Sequence, residues 1–317
     1  MMPSRYTEDE LIARVFAPIA GPAALGLKDD AALIEPSPEA TVATVDMLVA
    51  GVHFFPDDPP GAVARKALRV NLSDLAAKGA APIGFLLSLA LPTDWTNDWL
   101  SAFAAGLAED AATYAAPLIG GDTTATPGPL TISITALGRT SRFAPRTGAR
   151  AGDAIYVSGT IGDAALGLAL RRDAKLAARL SPLARASLLD RYLLPRPRLD
   201  LVSLLREHAS AAMDVSDGLA GDLAKLCAAS GVGAVVEAPM VPLSDAAREA
   251  IALAPSLFET ALTGGDDYEI LFTAGPGFAP PDAVTRIGEI LAGPAAPQFR
   301  SAAKKPLIFK KLSFSHF

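Results

Sequence analysis

A chain of 317 residues, 50% hydrophobic and 20% charged, can bury a large core in two domains and is too apolar to be disordered. A net charge of −6, with no lysine/arginine stripe, argues against a nucleic-acid surface. One cysteine, Cys227, allows no internal disulfide, no apolar run nears the roughly 20 residues of a membrane span, and residues 1–10 are polar and acidic, so a cytoplasmic protein with no membrane partner is expected.

In chain order, Thr7-Glu-Asp-Glu10 forms a capping box ahead of Leu11, Ile12, Val15 and Phe16 at helical spacing. Residues 31–35 and 41–48 read as two strands split by Pro36-Ser-Pro38. Residues 61–79 read as a helix with Val63, Ala67, Val70 and Leu75 on its apolar side and Asn71, Ser73 and Asp74 in its second half. Residues 82–91 form a nearly continuous apolar strand, and Asp94 is placed to cap an Ala-rich helix running to about residue 116. The segment Leu118-Ile-Gly-Gly-Asp122-Thr-Thr124 then reads as an acidic glycine turn, and residues 130–138 alternate Ile132, Ile134 and Ala136 against threonine and serine, as a half-buried strand does.

Arg142, Arg146 and Arg150 lie among Pro145, Gly148 and Gly152 without periodicity, which marks residues 140–152 as a connection between domains 1–139 and 153–317. The second half restarts with a strand, Asp153-Ala-Ile-Tyr-Val-Ser-Gly159, turning into a helix; Pro195-Arg-Pro197 breaks a later helix. A helix over 215–230, a strand over 233–238, a helix over 244–253 and a strand over 269–274 follow. Strands and helices alternate in both halves, so the class is α/β or α+β. Trp95 and Trp99, four apart at a helix start, read as packing or partner-contact residues, and Cys227 as core.

Acidic turns recur along this framework as Lys28-Asp-Asp30, Thr44-Val-Asp46, Asn71-Leu-Ser-Asp74, Gly121-Asp122, Asp214-Val-Ser-Asp217 and Gly264-Gly-Asp-Asp267. If the fold gathers them, a dense carboxylate cluster results, and such a cluster stays ionised only with cations. The chain has no P-loop, no protein-kinase motif set and no His-Glu-x-x-His, and its three histidines disfavour a zinc site. Carboxylate and hydroxyl oxygens are hard ligands that select Mg²⁺, Mn²⁺ or Ca²⁺, and Mg²⁺ usually brings phosphate. Bottom-up, the class is Mg²⁺-dependent phosphoryl chemistry outside the common kinase folds.

These landmarks, with Asp46-Met-Leu-Val-Ala-Gly-Val-His-Phe54, Leu118-Ile-Gly-Gly-Asp-Thr-Thr124, Arg146-Thr-Gly-Ala149, Asp214-Val-Ser-Asp-Gly-Leu219 and Gly264-Gly-Asp-Asp-Tyr-Glu269, strongly resemble the thiamine-monophosphate kinase family from the first helix to His316-Phe317. That family groups with aminoimidazole ribonucleotide synthetase and selenophosphate synthetase. The resemblance implies an N-terminal ATP/metal domain pairing in a homodimer to form an intersubunit β-barrel, and a C-terminal α/β domain. It implies a reaction of ATP with thiamine phosphate, Mg²⁺ as cofactor, and direct in-line transfer. It places Asp30, Thr44, Asp46, Asp74, Asp122, Asp214 and Asp217 around several metal ions, with turnover resting on Asp46, Asp122 and Asp214. Gly121, Asp122, Arg146 and Ser216 fall on nucleotide positions; His53, Asp266 and Phe314 fall on thiamine-phosphate positions.

The chain departs from that pattern at Lys28, Val45, Lys78, Asp266 and Ser313, where glycine, Thr or Ser, methionine, Glu and glycine are usual. Two other readings compete: another ATP-dependent enzyme of the same superfamily, or a non-catalytic metal- or nucleotide-binding regulator. Selenophosphate synthetase would need a reactive cysteine near the N-terminus, where this chain has none.

Overall fold

The computed structural model describes residues 5–29 and 31–314, so Asp30 and residues 315–317 lie outside the described residues. The chain forms two compact units, residues 1–75 with 80–141, and residues 142–317 with Ala76–Gly79. Among the described residues no helix is long and apolar enough to cross a membrane.

In the first unit, Thr7 caps α1 (Glu8–Leu11) with the full capping box. The other elements are β1 (Ala40–Val49), α2 (Pro60–Ala77), β2 (Ala81–Pro92), α3 (Asn97–Thr113), β3 (Leu118–Thr126) and β4 (Thr131–Thr140). The sheet order is β1-β4-β2-β3; β4 is antiparallel to both β1 and β2, and β3 is parallel to β2. One sheet face presents Phe85, Leu87, Leu89, Ile132 and Ile134, which are buried along with Leu68, Leu72, Leu100, Phe103 and Leu107 of α2 and α3. Side chains alternate along a strand, so the intervening residues occupy the other face, where Val45 and Met47 are 60% and 58% exposed. Arg69 on α2 grips Asp110 on α3 through two hydrogen bonds of 2.5 and 2.8 Å, a fork that holds the two helices in register.

Three expectations are corrected here. Residues 31–35 form no strand: Leu33 N–H bonds the carbonyl of Ala23 at 3.0 Å, and Pro36 and Pro38 offer no donors for a ladder. Asp94 does not cap α3; Thr96 does, its hydroxyl accepting from Trp99 N–H at 3.1 Å. Gly120-Gly121-Asp122 is not a turn but part of β3, pairing with Leu86, Leu87 and Ser88. A Cβ on Gly121 would run into the Leu87 carbonyl oxygen, so the glycine serves close approach of strand to strand.

The second unit contains β5 (Ala154–Ser158), α4 (Asp163–Arg172), α5 (Ala174–Ala177), α6 (Pro182–Leu193), α7 (Val202–His208), β6 (Ala209–Asp214), α8 (Leu219–Ser230), β7 (Gly233–Glu237), α9 (Asp245–Leu253), α10 (Leu257–Thr263), β8 (Ile270–Ala274), β9 (Val284–Leu291) and β10 (Gln298–Arg300). Its six-stranded sheet runs β10-β7-β9-β5-β8-β6 and is antiparallel except for β10 beside β7. Leu219, Leu223, Leu226 and Cys227 of α8 pack with Ile155, Val157, Met213, Leu271 and Ile287, while Leu205, Tyr156, Ala212 and Phe272 form a separate core. The prevalence of antiparallel pairing in both sheets makes the architecture mixed α and β.

Candidate active site

The end of α2 reaches down onto β1. Asn71 is fully buried, donates from Nδ2 to the Ala67 carbonyl at 3.0 Å, and accepts on Oδ1 from Asp46 N–H at 3.0 Å. Three residues on, Asp74 accepts on Oδ2 from the Thr44 hydroxyl at 2.6 Å. Spacing of three on a helix and of two on a strand each keep the pair on one face, so α2 and β1 present Thr44, Asp46 and Asp74 together. Just beyond β1, His53 accepts on Nδ1 from Val49 N–H at 2.9 Å. A neutral imidazole so bonded carries its proton on Nε2.

Asp122 is exposed on β3, with Oδ1 accepting from Thr123 N–H at 2.9 Å. A cavity of about 620 Å³ opens beside it, lined by Asp29, Ala31, Leu86, Ser88, Gly121 and Asp122 among others. Asp29 and the Gly-Gly-Asp segment therefore meet within the first unit. Asp46 and Asp122 do not: β1 and β3 are the two edges of the sheet, with β4 and β2 between them.

In the second unit, three stretches far apart in sequence converge. β6 ends at Asp214, which is 6% exposed, and the chain turns through Ser216 and Asp217 into α8. Asp266 N–H donates to the Ser216 carbonyl at 2.7 Å, and Tyr268 N–H to that of Val215 at 2.9 Å. Phe314 N–H donates to the Asp217 carbonyl at 3.0 Å. Asp214, Ser216, Asp217, Asp266 and Phe314 thus share one locus. Asp266 has a φ of 67°, a left-handed backbone that a short side chain able to bond locally tolerates better than a longer one. Ser313 is seated against Gly221, where a Cβ would strike its own side chain. Arg146 is exposed in the stretch ahead of the domain's first strand, next to Pro145, whose carbonyl accepts from Ala212 N–H on β6 at 2.8 Å.

Residues outside the predicted site hold this locus in shape. Asp222, fully buried on α8, accepts from the N–H groups of Asp217 and Gly218 at 2.9 and 3.1 Å. Burial pushes its carboxyl up, while the ammonium of Lys225, bonded at 2.8 Å, pulls the other way. Lys225 also bonds Asp217 directly. Behind the Gly264-Gly-Asp-Asp267 turn, Asp267 accepts from Gly162 N–H at 2.7 Å at the start of α4, and burial pushes its carboxyl well above the usual range. Glu269 is clasped by Arg191 at 2.9 Å and Arg198 at 3.0 Å and accepts from the Ser158 hydroxyl at 2.5 Å. An acid in the first turn of a helix was the available signal for Asp222; the partners of Glu269 lie 71 to 111 residues away and leave none.

No group of three or more acidic, histidine or cysteine side chains able to hold a metal ion occurs among the described residues. The donors nevertheless suit a hard cation. Mg²⁺ uses one or two carboxylates and completes its shell with water and phosphate oxygens, and Thr44 with Asp74 is such an oxygen pair. At Asp217, an incoming cation would compete with the Lys225 ammonium for one carboxylate.

Comparison with known proteins places this geometry. Residues 28–140 match the model of the AIR synthase related protein N-terminal domain, and residues 150–296 match that of the C-terminal domain. A thiamine-monophosphate kinase of Caulobacter vibrioides is 42% identical over 285 residues, covering 86% of this chain and 78% of the relative. The crystal structure of thiamine-monophosphate kinase from Stenotrophomonas maltophilia K279a superposes with a TM-score of 0.78 at 40% identity, covering 88% and 90% of the two chains. The structure of AaThiL complexed with AMPPCP and TMP gives 0.79 at 32% identity, covering 98% and 94%.

Removing the guanidinium that clasps a buried carboxylate leaves that charge uncompensated. Arg191→Met is therefore expected to lower the unfolding free energy by about 3–5 kcal/mol, measured by urea denaturation. A loss below about 1 kcal/mol, the worth of an exposed pair, would show that Arg198 and Ser158 hold Glu269 without it.

Proposed function

Because this chain belongs to the thiamine-monophosphate kinase family, we propose that it transfers the γ-phosphoryl group of ATP to thiamine phosphate, giving thiamine diphosphate and ADP. The observation that carries this reading is the Thr44–Asp74 pair with Asp46 beside it on β1 and α2, at the positions where the family's motifs fall. The AMPPCP and TMP of the AaThiL complex support the same pair of substrates.

In this reading Gly121, Asp122, Arg146 and Ser216 bind the nucleotide. The exposed Arg146 offers a planar fork suited to phosphate oxygens. His53, Asp266 and Phe314 bind the acceptor: the Nε2–H of His53 donates to a phosphate oxygen, and the half-exposed Phe314 ring offers a flat face to a heteroaromatic ring. Asp30, Thr44, Asp46, Asp74, Asp122, Asp214 and Asp217 hold magnesium. Bound there, magnesium supplies the positive charge that offsets repulsion between the phosphates being joined.

The acceptor is a phosphate oxygen already ionised near neutral pH, so the chain has to supply position, not a strong base. That oxygen attacks the γ-phosphorus as the bond to the β-phosphate oxygen breaks, and ADP leaves. His53 is tied through Nδ1 and assigned to the acceptor side, so no phosphoenzyme forms. The reaction belongs to the cytoplasm, where ATP is abundant, and involves neither nucleic acid nor membrane.

A homodimer completes the site. Asp46 and Asp122 lie on opposite edge strands, three strand spacings or about 14 Å apart along the sheet. Val45 and Met47 leave two exposed apolar side chains on one sheet face. Two such sheets closing into a barrel cover those faces and bring the β3 edge of one protomer, with Asp122, to the partner's β1 edge, which carries Asp46.

Asp46→Asn and Asp122→Asn are each expected to cut turnover by about 100-fold or more while leaving the circular dichroism unchanged; near wild-type rates at saturating Mg²⁺ would remove both from the metal set. ATP made chiral at the γ-phosphorus should transfer its phosphoryl group with inversion. Net retention, or label trapped on the protein without acceptor, would reopen His53 as a nucleophile. The chain should be dimeric by light scattering, and mixing the two inactive variants should restore activity through sites that draw both native carboxylates from different protomers. A monomer, or no recovery on mixing, contradicts the shared site.

A further inference from the structure

The segment that carries Phe314 is drawn onto the Asp214–Gly218 turn and held at both ends. Lys310 N–H donates to Oε1 of Glu259, on α10, at 2.6 Å, and Phe314 N–H donates to the Asp217 carbonyl at 3.0 Å. Upstream, Leu307 N–H bonds the Phe299 carbonyl at 2.8 Å, and the Phe309 ring meets that of Phe299 edge-on with centres 5.2 Å apart. Residues 307–314 contain no helix or strand, so these contacts and the packing between them set where the half-exposed Phe314 ring stands.

Between the two ends lies one close approach. Gly221, buried in the first turn of α8, faces Ser313. A Cβ built on Gly221 would stand 2.3 Å from the Ser313 Cβ, 2.9 Å from its Oγ and 3.0 Å from the Leu312 carbonyl oxygen. The Ser313 Cβ is fixed to its own backbone, so no side-chain rotation relieves that overlap, and the segment itself would have to lift. Nothing in α8 asks for glycine there: Gly221 has no positive φ, and alanine is the better helix former. The helix start cannot yield either, because Asp222, next in the chain, is bonded to the N–H groups of Asp217 and Gly218. The missing side chain at 221 is therefore space kept for Ser313.

We propose that Gly221 is a positioning residue for the acceptor: it seats Ser313, which fixes the Phe314 ring beside Asp217 and so sets affinity for the heteroaromatic part of thiamine phosphate. This rests on the assignment of Phe314 to the acceptor made above. Gly221 itself holds neither nucleotide nor metal in that assignment, so its substitution acts on the acceptor and not on ATP.

Gly221→Ala, Ser313→Gly, the two combined, and Phe314→Ala are compared in the full-length protein. Gly221→Ala should raise KM for thiamine phosphate about fivefold or more, with kcat and KM for ATP within about twofold of wild type. Ser313→Gly clears the space that the new methyl needs, so the combined variant should return KM for thiamine phosphate to within about twofold of wild type. Tryptic cleavage after the exposed Lys310 and Lys311, read by mass spectrometry, needs no substrate and tracks opening of the segment. It should quicken in Gly221→Ala and slow again in the combined variant. No turnover by the wild type, or an unchanged KM for thiamine phosphate in Phe314→Ala, would put the fault in the underlying reading and take the proposal with it. A raised KM in Phe314→Ala beside an unchanged one in Gly221→Ala overturns the role of Gly221 alone. So does a Gly221→Ala defect that Ser313→Gly fails to reverse, or a cleavage rate that Gly221→Ala leaves unchanged.

Discussion

The structure of the first unit depends on the grip of α2 on β1. Asn71 spends its side chain on two backbone groups, the Ala67 carbonyl and the Asp46 N–H, and so ties helix and strand together in the dry interior. Buried polar groups are costly unless bonded, which makes this tie specific: a shift of helix or strand would orphan both partners. The Thr44–Asp74 contact then follows from the same register. The Arg69–Asp110 fork extends the constraint to α3. A carboxylate, a hydroxyl and a strand-edge acid are held in fixed relation by packing that has nothing to do with a ligand, and this preorganisation is what a site for charged groups requires.

The second unit reaches a similar end by different means. The Asp214–Gly218 turn is bonded from three sides: by Asp222 from within α8, by the backbone of residues 266 and 268, and by Phe314 near the end of the described chain. Behind it, Glu269 and Asp267 are buried acids that persist because arginines, a serine and helix N–H groups satisfy them. Buried ion pairs of this kind add little net stability but penalise every arrangement that breaks them. Asp266, in a left-handed conformation, is carried by that frame.

Two cavities of the first unit differ in chemistry as well as place. The one beside Asp122 is lined by Glu8, Asp29 and Asp122, by glycine backbone, and by aliphatic side chains such as Ile12, Leu27 and Leu86. The one beneath Trp95 and Trp99 is walled by rings, prolines and carboxylates.

The sequence by itself determined the class of the fold, most helices and strands, the motifs that carry the family, and the identity of the acidic residues. Those features are local: capping boxes, a period of two in β4, and acids spaced three or four apart. What it misjudged was also physical. Gly120-Gly121 looked like a turn because glycine permits one, yet at Gly121 β2 lies so close that only glycine fits in the strand. β6, read from Ala209-Ser-Ala-Ala-Met-Asp214, lacks the β-branched residues that signal a strand, and β9 is interrupted by Gly288, whose Cβ would strike the Val235 carbonyl. Trp95 and Trp99 were legible as packing residues but not as the rings of a cavity. Only the tertiary structure decided which acids meet, that Lys225 sits on Asp217, and that Asp46 and Asp122 occupy opposite edges of one sheet. The physical reason is that strand order and side-chain convergence depend on contacts between residues tens to more than a hundred positions apart, and no local pattern in a single chain records them.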